Sequence, residues 1–172
     1  NAQTDDWAEL SGAIDWLNAR IPETNSAALI HNDYKFDNVI LDPNDLTKIV
    51  GVLDWEMATV GCPLMDLGTT LGYWADPTAP KSLLYAGFNP VHLMSLVTRK
   101  ELTAMYGEAA ETDVSGILYY YVFGLFKIAV IAQQIYARYA KGLTKNERFA
   151  NFNLHVRILG ETASAAIAAD SI

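Results

Sequence analysis

Residues 30–56 read I-H-N-D-Y-K-F-D-N-V-I-L-D-P-N-D-L-T-K-I-V-G-V-L-D-W-E, and the fold follows from how this stretch turns back on itself. Two short apolar runs, 39–41 and 48–53, flank the polar turn Asp42-Pro43-Asn44-Asp45, which is the sequence form of a β-hairpin. With the turn centred near Leu46, antiparallel pairing sets Asn38 opposite Asp54. Facing side chains in such a ladder lie about 5 Å apart. An amide oxygen and a carboxylate at that separation can share one Mg²⁺, which takes oxygen ligands at roughly 2.0–2.1 Å and keeps several waters. Asp33 lies on the loop that enters the hairpin, where a carboxylate can stand near the metal without binding it, as a general base requires. Taken alone, Asp33 reads as a turn or capping residue; the combination with Asn38 and Asp54 is what points to chemistry.

The pattern H-x-D-x-x-x-x-N followed by D-W-E resembles the catalytic loop and metal-binding aspartate of the protein-kinase superfamily. H-N-D-Y-K-F-D-N-V at 31–39, with V-L-D-W-E-M-A-T-V-G-C-P-L-M-D-L-G at 52–68, is similar to the aminoglycoside phosphotransferase family. Within it, the sequence most resembles bacterial members akin to the kinase-like domain fused to some acyl-CoA dehydrogenases. F-K-I-A-V-I-A-Q-Q-I-Y-A-R-Y-A-K-G at 126–142 resembles the same group. By that resemblance Asp33 accepts the substrate hydroxyl proton, and Asn38 and Asp54 hold Mg²⁺ on the phosphates of ATP. Lys35 stands near the transferred phosphate, Asp66 hydrogen-bonds the catalytic-loop backbone, and His31 braces the loop. Two positions depart from the pattern: Asn32 stands where the family usually has Gly, and Cys62 where it often has Asp. Asn tolerates positive φ better than most residues, so the loop is expected to keep its shape. Cys62 reads as a small packed side chain.

The remaining chain is consistent with one domain, since 172 residues with 51% hydrophobic content suffice for a sizeable core. A net charge of −8 and no basic run argue against a nucleic-acid or anionic-membrane partner. A single cysteine excludes an internal disulfide and suits a reducing compartment, so a cytoplasmic location is expected. Apolar spacing predicts helices over 5–20, 64–74, from Asn89-Pro90 to about 106, from Asp113 or Ser115 to 140, and over 145–169. The run 117–132 is apolar apart from Lys127 and has tyrosines at one end, which points to a buried core helix rather than a membrane span of about 20 apolar residues.

These elements predict a mainly helical α+β fold with a small catalytic β-hairpin, as in the C-terminal lobe of a protein kinase. Kinase-like enzymes also cover ATP with a Gly-rich β-hairpin and a strand lysine. Neither precedes Asp33, so the nucleotide-binding N-terminal lobe is expected to lie outside this chain, and the chain alone to be a poor catalyst. The expected activity is ATP- and Mg²⁺-dependent phosphoryl transfer to a hydroxyl of a small molecule. A catalytically silent kinase-like binding module and a metal-dependent hydrolase are the alternatives; substitution of Asp33 and Asp54, and phosphate release without acceptor, separate them.

Overall fold

The structure is a computed structural model and describes residues 4–23, 27–85 and 97–172. Its centre is a helical packing unit. Helix α2 (Pro63–Tyr73) lies against the long helix α5 (Ile117–Ala140), which in turn packs on α6 (Phe152–Ala169), and α1 (Ala8–Asn18) lies across α6 and α5. Leu71, Tyr121, Val122, Leu125, Val156 and Leu159 are almost fully buried between them. Helix α5 is long and apolar enough to cross a membrane by length and composition, yet much of it forms the core of this unit.

Glycines set how closely α2 and α5 approach. A Cβ at Gly68 would lie 2.1 Å from the Tyr120 carbonyl oxygen, and one at Gly124 would lie 2.3 Å from the Gly68 carbonyl oxygen. The two backbones touch here, and no side chain fits between them. Among the described residues, the five-residue α3 (Lys81–Tyr85) and the eleven-residue α4 (Arg99–Ala109) come after α2.

Among the described residues the β structure is two separate antiparallel pairs. The expected hairpin forms from β2 (Val39–Asp42) and β3 (Asp45–Val52). A second pair joins β1 (Ala28–Ile30) to β4 (Thr59–Gly61), so the chain entering the loop at His31 and the chain leaving Met57 are tied together. The hairpin register differs from expectation. Val39 faces Val52, and the Leu53 N–H donates to the Asn38 carbonyl at 2.8 Å, so Asn38 stands opposite Leu53 rather than Asp54. The cause is a tighter turn: Asp42 pairs with Asp45, the Asp42 carboxylate accepts from Asn44 N–H at 2.9 Å, and two ladder irregularities between Ile40 and Asp42 absorb the extra residues of β3.

The helix limits differ in detail too. The helix expected over 5–20 is confined to Ala8–Asn18. Neither Asp113 nor Ser115 caps α5, whose N-cap is Gly116; Asp113 instead holds Ser115 N–H at 2.9 Å in the preceding turn. The last helix is divided, a 3₁₀ turn at Glu147–Phe149 preceding α6. The start expected at Asn89-Pro90 lies outside the described residues, and α4 opens at Arg99 with a capping box between Thr98 and Glu101.

Asp76, just beyond α2, and Arg99, at the start of α4, form a buried ion pair at 3.3 Å, 1% and 5% exposed as residues. Asp76 also accepts from Arg99 N–H at 2.7 Å and from Thr78 N–H at 2.8 Å, and the Arg99 guanidinium donates to the Tyr121 hydroxyl. Burial alone would raise the Asp76 pKa, but the Thr78 donors and the Arg99 charge outweigh it and hold the carboxyl below its ordinary value. With a depressed folded-state value, the unfolded chain takes up the proton first. The stabilisation is therefore full above the ordinary carboxylate pKa of about 3.9 and is lost as pH falls through the lower folded value. Asp76→Asn is expected to cost about 2 kcal/mol at pH 7, within the range for hydrogen bonds to charged groups, and to flatten the acid side of the stability profile. Denaturant titrations of wild type and variant at pH 7 and below the carboxylate range check both effects.

Candidate active site

Every sequence-nominated residue lies on the loop between β1 and β2, on the turn after β3, or on α2. One face of α2 holds the loop. Asp66 in its first turn accepts the His31 N–H at 2.6 Å and the Asn32 N–H at 2.5 Å. One turn on, the Thr70 hydroxyl donates to the Tyr34 carbonyl at 2.7 Å, and at the end of the helix the Tyr73 hydroxyl donates to Asp33 Oδ1 at 3.1 Å. Positions 66, 70 and 73 are i, i+4 and i+7, one helical stripe.

His31, 3% exposed, links the loop to the far strand. Its Nδ1 lies 3.2 Å from the Asp33 N–H and must accept, so Nε2 carries the hydrogen and donates to the Leu53 carbonyl at 2.7 Å. Its ring also packs against Trp55, centroids 4.8 Å apart. The next residue, Asn32, has φ 68°, left-handed backbone that Asn adopts more readily than most residues.

The loop delivers Asp33 with a side chain 14% exposed. Lys35 Nζ lies 2.7 Å from Asp33 Oδ2, Tyr73 donates to Oδ1, and the Asn38 amide donates to the Asp33 carbonyl at 2.8 Å and to Oδ2 at 3.1 Å. Three donor contacts on the carboxylate and one on the Asp33 carbonyl thus fix where the carboxylate stands. Burial first, then the Asp33 charge, raise the Tyr73 pKa, so its hydroxyl keeps its proton and stays a donor.

Asn38 is buried, and its Nδ2 is committed to Asp33, leaving the amide oxygen as its unused polar atom among the described residues. Asp54 has left-handed backbone, φ 63° and ψ 52°, and among the described residues its exposed carboxylate has no hydrogen bond or ion pair. These two oxygens are hard donors that suit Mg²⁺, an ion usually bound by one or two carboxylates plus phosphates and water. Among the described residues no cluster of three or more His, Cys, Asp or Glu side chains forms a closed metal cage.

Three contributors were not anticipated as parts of the site. Tyr73 and Thr70 read as ordinary helix residues, and only their spacing from Asp66 could have found them. Lys127, the charged residue within the apolar run 117–132, reaches from α5 to Asn32, donating to its backbone carbonyl and, at 3.1 Å, to its side-chain oxygen. Cys62 is the residue before α2, buried with its sulfur 3.4 Å from the Tyr120 hydroxyl. Beside Lys35 lies a cavity of about 200 Å³ with Tyr34, Phe36, Val39, Tyr73 and Trp74 in its wall.

The phosphotransferase enzyme family (APH) matches residues 1–89, more than half of the 172-residue chain. Acyl-CoA dehydrogenase family member 11 of Gallus gallus is 32% identical over 150 residues, covering 85% of this chain and 19% of that protein. The Homo sapiens protein of the same name is 31% identical over 154 residues, with coverages of 86% and 19%. Member 10 of Mus musculus is 28% identical over 145 residues, covering 82% of this chain and 13% of its own length. The chain therefore spans a fifth or less of the curated relatives it matches. A crystal structure of a provisionally assigned aminoglycoside phosphotransferase from Ralstonia eutropha JMP134 superposes with a TM-score of 0.80 at 24% identity, over 98% of this chain and 51% of that one. The last likeness speaks for the fold. With the match running through the loop that carries Asp33 and Asn38 and on past Asp54 to α2, the chain belongs to the APH phosphotransferase enzyme family, with a kinase-like fold.

Proposed function

We propose that this chain supplies the general base and the metal ligands for Mg²⁺-dependent transfer of the γ-phosphoryl group of ATP to a hydroxyl of a small molecule. One observation carries the reading: the Asp33 carboxylate is held by Lys35, Tyr73 and Asn38, while the Asn38 amide oxygen and the Asp54 carboxylate stand uncommitted among the described residues. Mg²⁺ held by those two oxygens would neutralise charge on the nucleotide phosphates. Asp33 takes the acceptor hydroxyl proton as the new O–P bond forms, and ADP leaves with the electron pair of the broken P–O bond. Lys35 Nζ, 2.7 Å from Asp33, is close enough to a hydroxyl on that carboxylate to meet the phosphoryl oxygens as they arrive. Such a reaction is mostly positioning and charge compensation, which is what the braced loop provides.

The aromatic cavity beside Lys35 gives an acceptor an apolar footing. Among the described residues its lining carries no carboxylate, so it favours an acceptor with an apolar portion over a polycationic one.

The test is Asp54→Ala in the natural full-length protein, with binding of Mg²⁺ and nucleotide followed by calorimetry. Substitution of groups that merely orient metal ligands costs about 10–100-fold in affinity, so loss of a ligand is expected to weaken Mg²⁺-nucleotide binding by at least about tenfold. Undiminished binding would remove Asp54 from the metal site and the reading with it.

A further inference from the structure

Asn32 makes four contacts with three partners. Its N–H donates to Asp66 on α2 at 2.5 Å, its carbonyl accepts from Lys127 on α5, its side-chain oxygen lies 3.1 Å from the same Lys127 nitrogen, and its Nδ2 donates to the Met57 carbonyl at 3.0 Å. Met57 closes the 3₁₀ turn Trp55–Met57 that follows Asp54. The Asn32 side chain therefore spans the gap between the segment bearing Asp33 and the segment bearing Asp54, with an ammonium group fixing one end and a backbone carbonyl the other.

Lys127 lies in a helix that is otherwise apolar through 117–132, and it is half-buried where it reaches the loop. Burial lowers its pKa, opposed by the Asp66 and Asp33 carboxylates. Burying a cation against a helix core is costly unless partners compensate. Here the two Asn32 oxygens supply them.

We infer that Lys127 and Asn32 form a strut that sets the position of the Asp54 segment relative to Asp33, making both of them positioning residues for the phosphoryl transfer proposed above. A residue without a side chain at position 32 has nothing to reach Met57 or present to Lys127 beyond its backbone carbonyl, so the strut depends on the Asn at this site. The inference rests on that proposed reaction for its kinetic consequence, although the strut itself is a matter of structure.

Asn32→Gly is the clean variant. Glycine adopts a φ of this sign freely, so the backbone bonds to Asp66 and Lys127 are kept and only the side-chain span is lost. Two measurements on the natural full-length protein test it. By hydrogen–deuterium exchange, Asn32→Gly is expected to speed exchange of the amides at 53–58 while leaving those of α5 unchanged; unaltered exchange at 53–58 overturns the strut. In phosphoryl-transfer assays, the Mg²⁺ concentration for half-maximal rate is expected to rise about tenfold, the scale for groups that orient metal ligands. Lys127→Met should raise it similarly, and the double variant should fall short of the product of the two single effects, because both act through one side-chain span while the Lys127 bond to the Asn32 carbonyl is lost only with Lys127. Independent effects that multiply in the double variant, or an unchanged Mg²⁺ requirement in Asn32→Gly, overturn the positioning role. If the wild-type protein transfers no phosphoryl group from Mg²⁺-ATP, the proposed reaction fails, while the exchange measurement still decides the strut.

Discussion

Asp33→Asn is expected to lower the turnover of phosphoryl transfer by about 10²–10⁴-fold, the usual contribution of a positioned general base, with Mg²⁺-nucleotide affinity close to that of wild type. The amide has the volume of the carboxylate, and its oxygen can still accept from Tyr73, so the loop keeps its support from Asp66, His31 and Asn38. What the amide cannot do is take a proton from the acceptor hydroxyl. It also ends the 2.7 Å ion pair with Lys35. The loss should appear in kcat and in kcat/KM to the same extent, the signature of an interaction made only in the transition state. Steady-state kinetics over a range of acceptor concentrations reads this directly. A variant that keeps turnover within severalfold of wild type, or one that changes only KM for the acceptor, would show that Asp33 is not the base.

Much of the candidate site's layout was legible because its residues are close in sequence. His31, Asp33, Lys35 and Asn38 fall within one loop, and a short loop between two strands leaves little freedom in where they go. The hairpin was legible in the same way, from two apolar runs around Asp42-Pro43-Asn44-Asp45. Its register was not, because the residue that faces Asn38 depends on how tightly the turn closes. An Asx turn at Asp42 and irregularities beyond Ile40 moved the partner from Asp54 to Leu53. The pairing of β1 with β4 was illegible for another reason: three-residue strands carry almost no periodic signal, and what fixes them is the Asp66 carboxylate drawing His31 and Asn32 onto α2. Tyr73 and Lys127 illustrate a third limit. Each is an ordinary member of its own helix, and each acquires a role only once the 31–38 loop is folded against that helix: Tyr73 reaches Asp33, 40 residues before it, and Lys127 reaches Asn32, 95 residues before it. Helix crossings are set by contact surfaces, and a sequence shows these only indirectly, through the small residues at the crossing.

That crossing yields the second large effect. Gly124→Ala and Gly68→Ala are each expected to destabilise the fold by at least about 3 kcal/mol, at or above the usual overpacking cost, and to lower Tm by roughly 6–12 °C for a domain of this size. The new methyl groups would start 2.3 Å and 2.1 Å from backbone carbonyl oxygens, and a carbonyl in a helix cannot rotate aside as a side chain can, so α2 and α5 must separate. Gly12→Ala provides the opposite sign as a control. It lies in α1 with nothing within 4 Å of the added Cβ, so the better helix propensity of alanine should stabilise the protein by about 0.5–1 kcal/mol. Thermal unfolding of the three variants measures both signs; a neutral Gly124→Ala would mean that the helices do not meet backbone to backbone. The consequence reaches the chemistry. Asp66 and Tyr73 hold the Asp33 loop from α2 and Lys127 holds it from α5, so a wider crossing pulls the two supports in different directions. The glycine variants should therefore lose turnover at temperatures well below their Tm, where they remain folded, and Gly12→Ala should not.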